Sequence, residues 1–165
     1  MNLNRQEIES LWDQITPKLY GYLKNTLRDH ALADDILQAT WMKVLEALPT
    51  FEDRGAGISP WIFSIARNEM RMHWRKAGRQ IVYEPEIHDI AKDDKNYEDV
   101  ILVEQAMKHL SEEDQEMLRL RFIADLSLGE IGKILKMNPV ATRVKMHRTM
   151  NRVRTTIVNL NKKYE

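Results

Sequence analysis

The stretch that decides the architecture is SLGEIGKILKMNPVATRVKMHRTMNRVR, residues 127–154. Ser127 and Glu130 are spaced as a capping box, in which each side chain accepts from the other's free backbone N–H. A short helical period runs from there to Met137, and Lys136–Asn138 predicts a tight break. Pro139 then suits the first turn of a new helix, because it has no N–H to leave unpaired. Gly132 is small enough to let the two helices cross closely. The second helix turns Thr142, Met146, Met150, Val153, Ile157 and Leu160 to one side. Val144, His147, Arg148 and Asn151 lie opposite, flanked by Arg143, Lys145, Arg152 and Arg154. The spacing predicts a helix-turn-helix with a basic outer face. Such a face fits the DNA major groove, where Arg and Asn read base edges and neighbouring cations hold phosphates.

Upstream of it, apolar residues keep recurring at helical spacing. A first helix carries Ile8, Leu11, Trp12, Ile15, Leu19, Tyr22 and Leu23, with Asn4 and Glu7 as a capping pair and Pro17 expected to kink or divide it. A second begins near Asp29 and turns Ala33, Ile36, Leu37, Thr40, Val44 and Leu48 inward. Glu52–Pro60 reads as a loop, and a third helix follows from about Trp61 to Lys76. Residues 79–96 read as an acidic linker whose only strand candidate, Gln80–Tyr83, is short and precedes Pro85. A further helix then buries Val100, Val103, Met107 and Leu110, and Ser111 caps the next. The expected fold is all-α: two small bundles, 1–78 and 97–165, joined by a flexible acidic linker.

Twenty-five basic residues balance 25 acidic ones, but the balance is not local. Residues 61–83 hold five basic groups against one acidic, and 131–165 hold nine against one. Residues 84–99 hold two against seven. Two basic blocks separated by acid predict two surfaces that face polyanions. In the first block Arg67, Arg71, Arg75 and Lys76 are interleaved with Asn68 and Trp74, beside a Gly-containing loop. That combination suits an unpaired strand, held by phosphate contact and stacking, although Trp61, Phe63 and Trp74 taken singly read better as core residues than as stacking platforms.

Other chemistries find little support. There is no Cys, and the five His residues (His30, His73, His88, His109 and His147) show no metal-ligand spacing. Acidic pairs at Asp34–Asp35, Asp93–Asp94 and Glu112–Glu113 sit where linkers and helix starts ordinarily collect them. The expectation is a protein that is not an enzyme and needs no cofactor or metal. The longest uncharged stretch, Gly55–Ala66, has 12 residues, short of the roughly 18 or more a membrane span needs. Arg5, Glu7 and Glu9 interrupt any apolar leader. A cytoplasmic location with no membrane insertion is expected.

ALADDILQATWMKVLEALPTF (31–51), followed by PWIFSIARNEMRMHWRK (60–76), resembles the second conserved region of bacterial sigma factors. LSEEDQEMLRLRFIADLSLGEIGKILKMNPVATRVKMHRTMNRVR (110–154) resembles their fourth. With no room for other folded regions, the chain is most similar to the extracytoplasmic-function (ECF) group of the sigma-70 family. The resemblance implies that Asp35 and Gln38 face the clamp helices of the RNA polymerase β′ subunit. It implies that Trp61, Asn68, Arg71, Arg75, Lys76 and the loop 52–59 engage the melted −10 element. It implies that Arg143, Val144, Lys145, His147, Arg148 and Asn151 meet the −35 element. The linker would enter the polymerase cleft, the fourth region would touch the β flap, and an anti-sigma factor is a further partner of many such proteins. Val144 stands where the family commonly has a hydroxyl, and Gly132 where it has alanine. The residues alone also leave open a stand-alone helix-turn-helix regulator with a sensing or dimerising N-terminal bundle, or an adaptor that never reads promoters.

Overall fold

The structure, a computed structural model, describes residues 3–78 and 97–164. Seven helices make up the described chain: α1 (Arg5–Leu27), α2 (His30–Ala47), α3 (Ile58–Ala77), α4 (Tyr97–Lys108), α5 (Glu112–Phe122), α6 (Leu128–Leu135) and α7 (Pro139–Tyr164). One 3₁₀ turn, Leu48–Thr50, closes α2. No strand occurs among the described residues; Gln80–Tyr83 and the linker 79–96 lie outside them.

Most helix starts fall where the sequence placed them, but α3 begins at Ile58, so residues 58–60 of the expected loop form its first turn, where the missing N–H of Pro60 leaves no intrahelical bond unmade. Asn4 and Glu7 form a reciprocal capping box, as do Ser127 and Glu130, and Asp29 and Ser111 cap α2 and α5. Each such cap is worth about 1 kcal/mol. Pro17 does not divide the first helix, because α1 continues through it as one element. The proline is exposed while Ile15 and Leu19 are buried on the opposite side, so the missing hydrogen bond falls on a solvated face and packing holds the helix together. In α4 the expected stripe is also shifted. Val103 is 47% exposed, and the fully buried Ala106, four residues before Leu110, takes the inward position.

Within the first half α1 packs on α2 and α2 on α3; within the second, α4, α5 and α6 pack on α7. Gly132 allows the α6–α7 crossing: a Cβ there would lie 2.8 Å from Thr142 Oγ1 and 3.1 Å from the Met137 carbonyl oxygen. Asn138 starts α7, its Oδ1 accepting from the Ala141 N–H at 2.8 Å.

The halves are also joined to each other, which no periodicity foretold. α3 packs on α6 and α1 on α5, and one hydrophobic cluster runs from Leu19, Leu23 and Phe63 to Met117, Leu120 and Ile131. At the centre of this interface the Glu116 carboxylate accepts from Arg67 Nε at 2.6 Å and Nη2 at 3.1 Å. It also accepts from the Tyr22 hydroxyl at 3.2 Å. Burial raises the Tyr22 pKa well above its ordinary value, so this hydroxyl stays a donor. Lys18 reaches Asp125 at 3.1 Å, and Lys133 donates to the Gly55 carbonyl. Gly21 leaves room for Ile123, whose Cγ2 would lie 3.2 Å from a Cβ at that position.

Candidate nucleic-acid interface

The outer face of α7 follows from its inner one. Thr142 and Thr149 are fully or almost fully buried, with Met146 close behind. That register leaves Val140, Arg143, Val144, His147, Arg148, Asn151 and Arg154 exposed on the other side. His147 and Asn151 face each other at 3.4 Å, and Arg143 and Arg148 have no carboxylate partner among the described residues. Lys145, expected beside this face, is instead drawn towards α5. Its ammonium sits 2.6 Å from Glu113 and 3.8 Å from Asp114, and its side chain is 24% exposed. The hydrogen bond from Lys145 holds the Glu113 carboxyl below its usual range. Arg152 is taken up in the same way, 2.8 Å from Asp114, whose other oxygen accepts from Thr149 at 3.0 Å.

On α3 the residues Asn68, Arg71, Arg75 and Lys76 are exposed and carry no side-chain partner among the described residues. Arg67, one turn earlier, belongs to the buried pair with Glu116 and is removed from that surface. Trp61 is half-buried against Phe51, ring centroids 4.5 Å apart, at the mouth of the loop 52–59. The loop is shaped by Asp53, which no sequence motif had singled out. Its Oδ1 accepts from the backbone N–H groups of Gly55, Ala56 and Gly57 at 2.9, 3.0 and 2.9 Å. The Gly57 bond foremost, with the other two, lowers the Asp53 pKa. Gly55 and Gly57 both have positive φ, 80° and 78°, which glycine adopts without a steric penalty. A signal was present in the Asp-x-Gly-x-Gly spacing, which suits an aspartate that bonds its own following backbone.

Asp35 and Gln38 are exposed on α2, on the opposite side from the buried Ile36 and Thr40. Close by, Trp12 stacks on Trp41 with centroids 4.6 Å apart and stays 42% exposed. Among the described residues no group of acidic or His side chains is arranged to hold a metal ion, and no helix is long and apolar enough to cross a membrane.

Comparison with known proteins places this geometry. Residues 11–80 match the family model Sigma-70 region 2, and residues 106–155 match Sigma-70, region 4. The chain is 30% identical over 132 residues to the ECF RNA polymerase sigma factor ShbA of Streptomyces griseus, covering 73% of this chain and 69% of ShbA. It is 29% identical over 159 residues to the RNA polymerase sigma factor CarQ of Myxococcus xanthus, covering 92% and 90%. With the ECF sigma factor BldN of Streptomyces coelicolor it shares 26% over 148 residues, and it spans 56% of BldN's length. Among solved structures, the sigma factor RpoE in complex with the anti-sigma factor NepR from Bartonella quintana shares the fold. The TM-score is 0.67 at 20% identity, over 92% of this chain and 97% of that one. CnrH in complex with the cytosolic domain of CnrY gives 0.69 at 18% identity, over 94% and 90%. From its two matched regions and these relatives, the chain belongs to the ECF sigma factors of the sigma-70 family, the transcription initiation factors that direct RNA polymerase to promoters.

Proposed function

We propose that the chain divides its work between its two halves, acting by binding alone and in the cytoplasm. Residues 1–78 engage core polymerase through Asp35 and Gln38, and the melted −10 strand through the loop 52–59 with Trp61, Asn68, Arg71, Arg75 and Lys76. Residues 97–165 read the −35 duplex with Arg143, Val144, His147, Arg148 and Asn151, and touch the β flap. Lys145 joins them only if it leaves Glu113. The observation that carries this reading is the pair of exposed, unneutralised cationic faces, one on each half. A stand-alone regulator has no use for the first of them.

This division requires the halves to separate. Two elements centred about 25 base pairs apart lie roughly 85 Å apart along B-DNA, at ~34–36 Å per turn. Here Lys133, on the helix that presents α7, touches the loop at Gly55. The packed form is therefore a resting state, and polymerase and promoter hold an open one. The solved complexes of RpoE and CnrH, each named with a second protein, make an anti-sigma factor a further partner to seek.

Run-off transcription with core polymerase tests the reading. The full-length chain should give promoter-specific transcripts. Asp35→Ala with Gln38→Ala should lose core affinity without a change in helicity. Sequence-specific duplex binding by the isolated chain, with no stoichiometric polymerase complex, would favour the stand-alone regulator.

A further inference from the structure

The DNA-facing stripe of α7 contains two side chains that no phosphate contact explains. Val140 is 69% exposed and Val144 42% exposed, and they stand four residues apart, as neighbours on one helix face. His147, Arg148 and Asn151 continue the same line. Val140 stands open to solvent, while Val144 is partly covered, lining a groove with Ser111, Met137, Ala141 and Lys145 and keeping its remaining surface on the outer face. Both lie in the first turns of α7, the part of a recognition helix that reaches base edges. A β-branched side chain has essentially one χ1 rotamer in a helix, so the valine methyls are held in fixed places.

Charge identifies the occupant. Arg143 and Arg148 flank the valines as exposed cations, while the nearest carboxylates, Glu113 and Asp114, are occupied by Lys145 and Arg152. An apolar pair set between free arginines fits a polyanion that displays small apolar groups between its charges. On the base edges of a major groove that group is the C5-methyl of thymine. We propose that Val140 and Val144 are specificity residues that read thymine methyls in the −35 element. This rests on α7 being the −35 reader.

The test uses the full-length chain bound to core polymerase. A preferred −35 sequence is first selected from a random duplex library, and each thymine in it is then replaced by deoxyuridine, which removes the methyl and keeps every hydrogen-bonding group. Replacement at one or two positions should weaken binding about fourfold each, the effect of burying one methyl-sized group. In Val140→Ala or Val144→Ala the preference for thymine over uracil at the matching position should vanish, with helicity retained because alanine is the better helix former. Equal binding of thymine and uracil duplexes at every position would overturn the proposal, as would an unchanged preference in both variants. Arg143→Ala and Arg148→Ala on the same duplexes separate the two levels. If they lose −35 binding while uracil is silent, α7 reads DNA and the methyl contact alone is wrong; if they too are silent, the assignment of α7 falls with it.

Discussion

The two basic helices, α3 and α7, look alike in the sequence and differ in where their neutralised cations point. Both surrender cations to the same short stretch of α5. Glu113 and Asp114 take Lys145 and Arg152 from α7, and Glu116 takes Arg67 from α3. The α7 pairs lie within one half and survive any separation of the two. The α3 pair spans both halves, so opening returns Arg67 to the surface that holds Arg71 and Arg75. The exposed charge of α7 would be the same in a packed and a separated form, whereas that of α3 would rise on separation.

The largest test of this contrast is Glu116→Ala. It strands a guanidinium that is only 13% exposed and removes the partner of the buried Tyr22 hydroxyl. We expect a loss of about 2–3 kcal/mol in denaturant unfolding, below the ~3–5 of a wholly buried pair because some solvent reaches both groups. Small-angle scattering should show a larger radius as the halves part. The Asp114→Asn variant, which acts within one half, should leave the radius unchanged. Equal radii for Glu116→Ala and the wild type would erase the distinction between the helices.

Gly132→Ala comes next. The new methyl meets Thr142 Oγ1 and the Met137 carbonyl, and overpacking of about 1–3 kcal/mol exceeds the ~1 kcal/mol that alanine returns as helix propensity. A net loss of up to about 2 kcal/mol is expected, seen as faster amide exchange in α6 and α7 with α1–α3 unaffected. Glu113→Gln should act mainly on DNA binding, because the ion pair it breaks is exposed at Glu113 and is worth little in stability. With Lys145 released, the slope of log K against log salt should steepen by about 0.9, one additional phosphate contact.

The smallest effect is one of pH. A carboxylate with a depressed pKa contributes stability that is complete above its unfolded value and disappears as pH falls through the folded one. Acidification below the ordinary carboxylate range should therefore release Lys145 from Glu113, and release the Gly55–Gly57 amides from Asp53. Exchange-corrected NMR of those three amides would follow it. Amides that stay protected through the titration would show that the glycines hold the loop without Asp53.

Local chemistry made much of this molecule legible before any coordinates. The capping boxes at Asn4 and Ser127 and the start at Pro139 depend on neighbours within a few residues, the close crossing at Gly132 depends on Thr142 in the very next helix, and all stand. The fates of Arg67 and Lys145 were not legible, because their partners lie 49 and 32 residues away and a count of charges does not say which are paired. Val103 and Ala106 fell to a related ambiguity. Steps of three and of four both keep to one helix face, and only the neighbouring helix decides between them. The interface between the halves was invisible for the same reason: Leu19, Phe63 and Ile131 would be apolar in separate cores or in a shared one.

The contact between Lys133 and the loop has an acceptor of an unusual kind for a regulatory restraint, a main-chain oxygen. Any residue that keeps the backbone path supplies that oxygen. The exposed side chains of Glu52 and Arg54 can therefore be exchanged without removing that acceptor, whereas Asp53, Gly55 and Gly57 hold the backbone path itself. Conversely, a change at Lys133 alters the attachment and leaves the loop's own hydrogen bonds to Asp53 intact. Loop sequence and loop attachment can thus diverge separately among descendants of this chain, each by single substitutions.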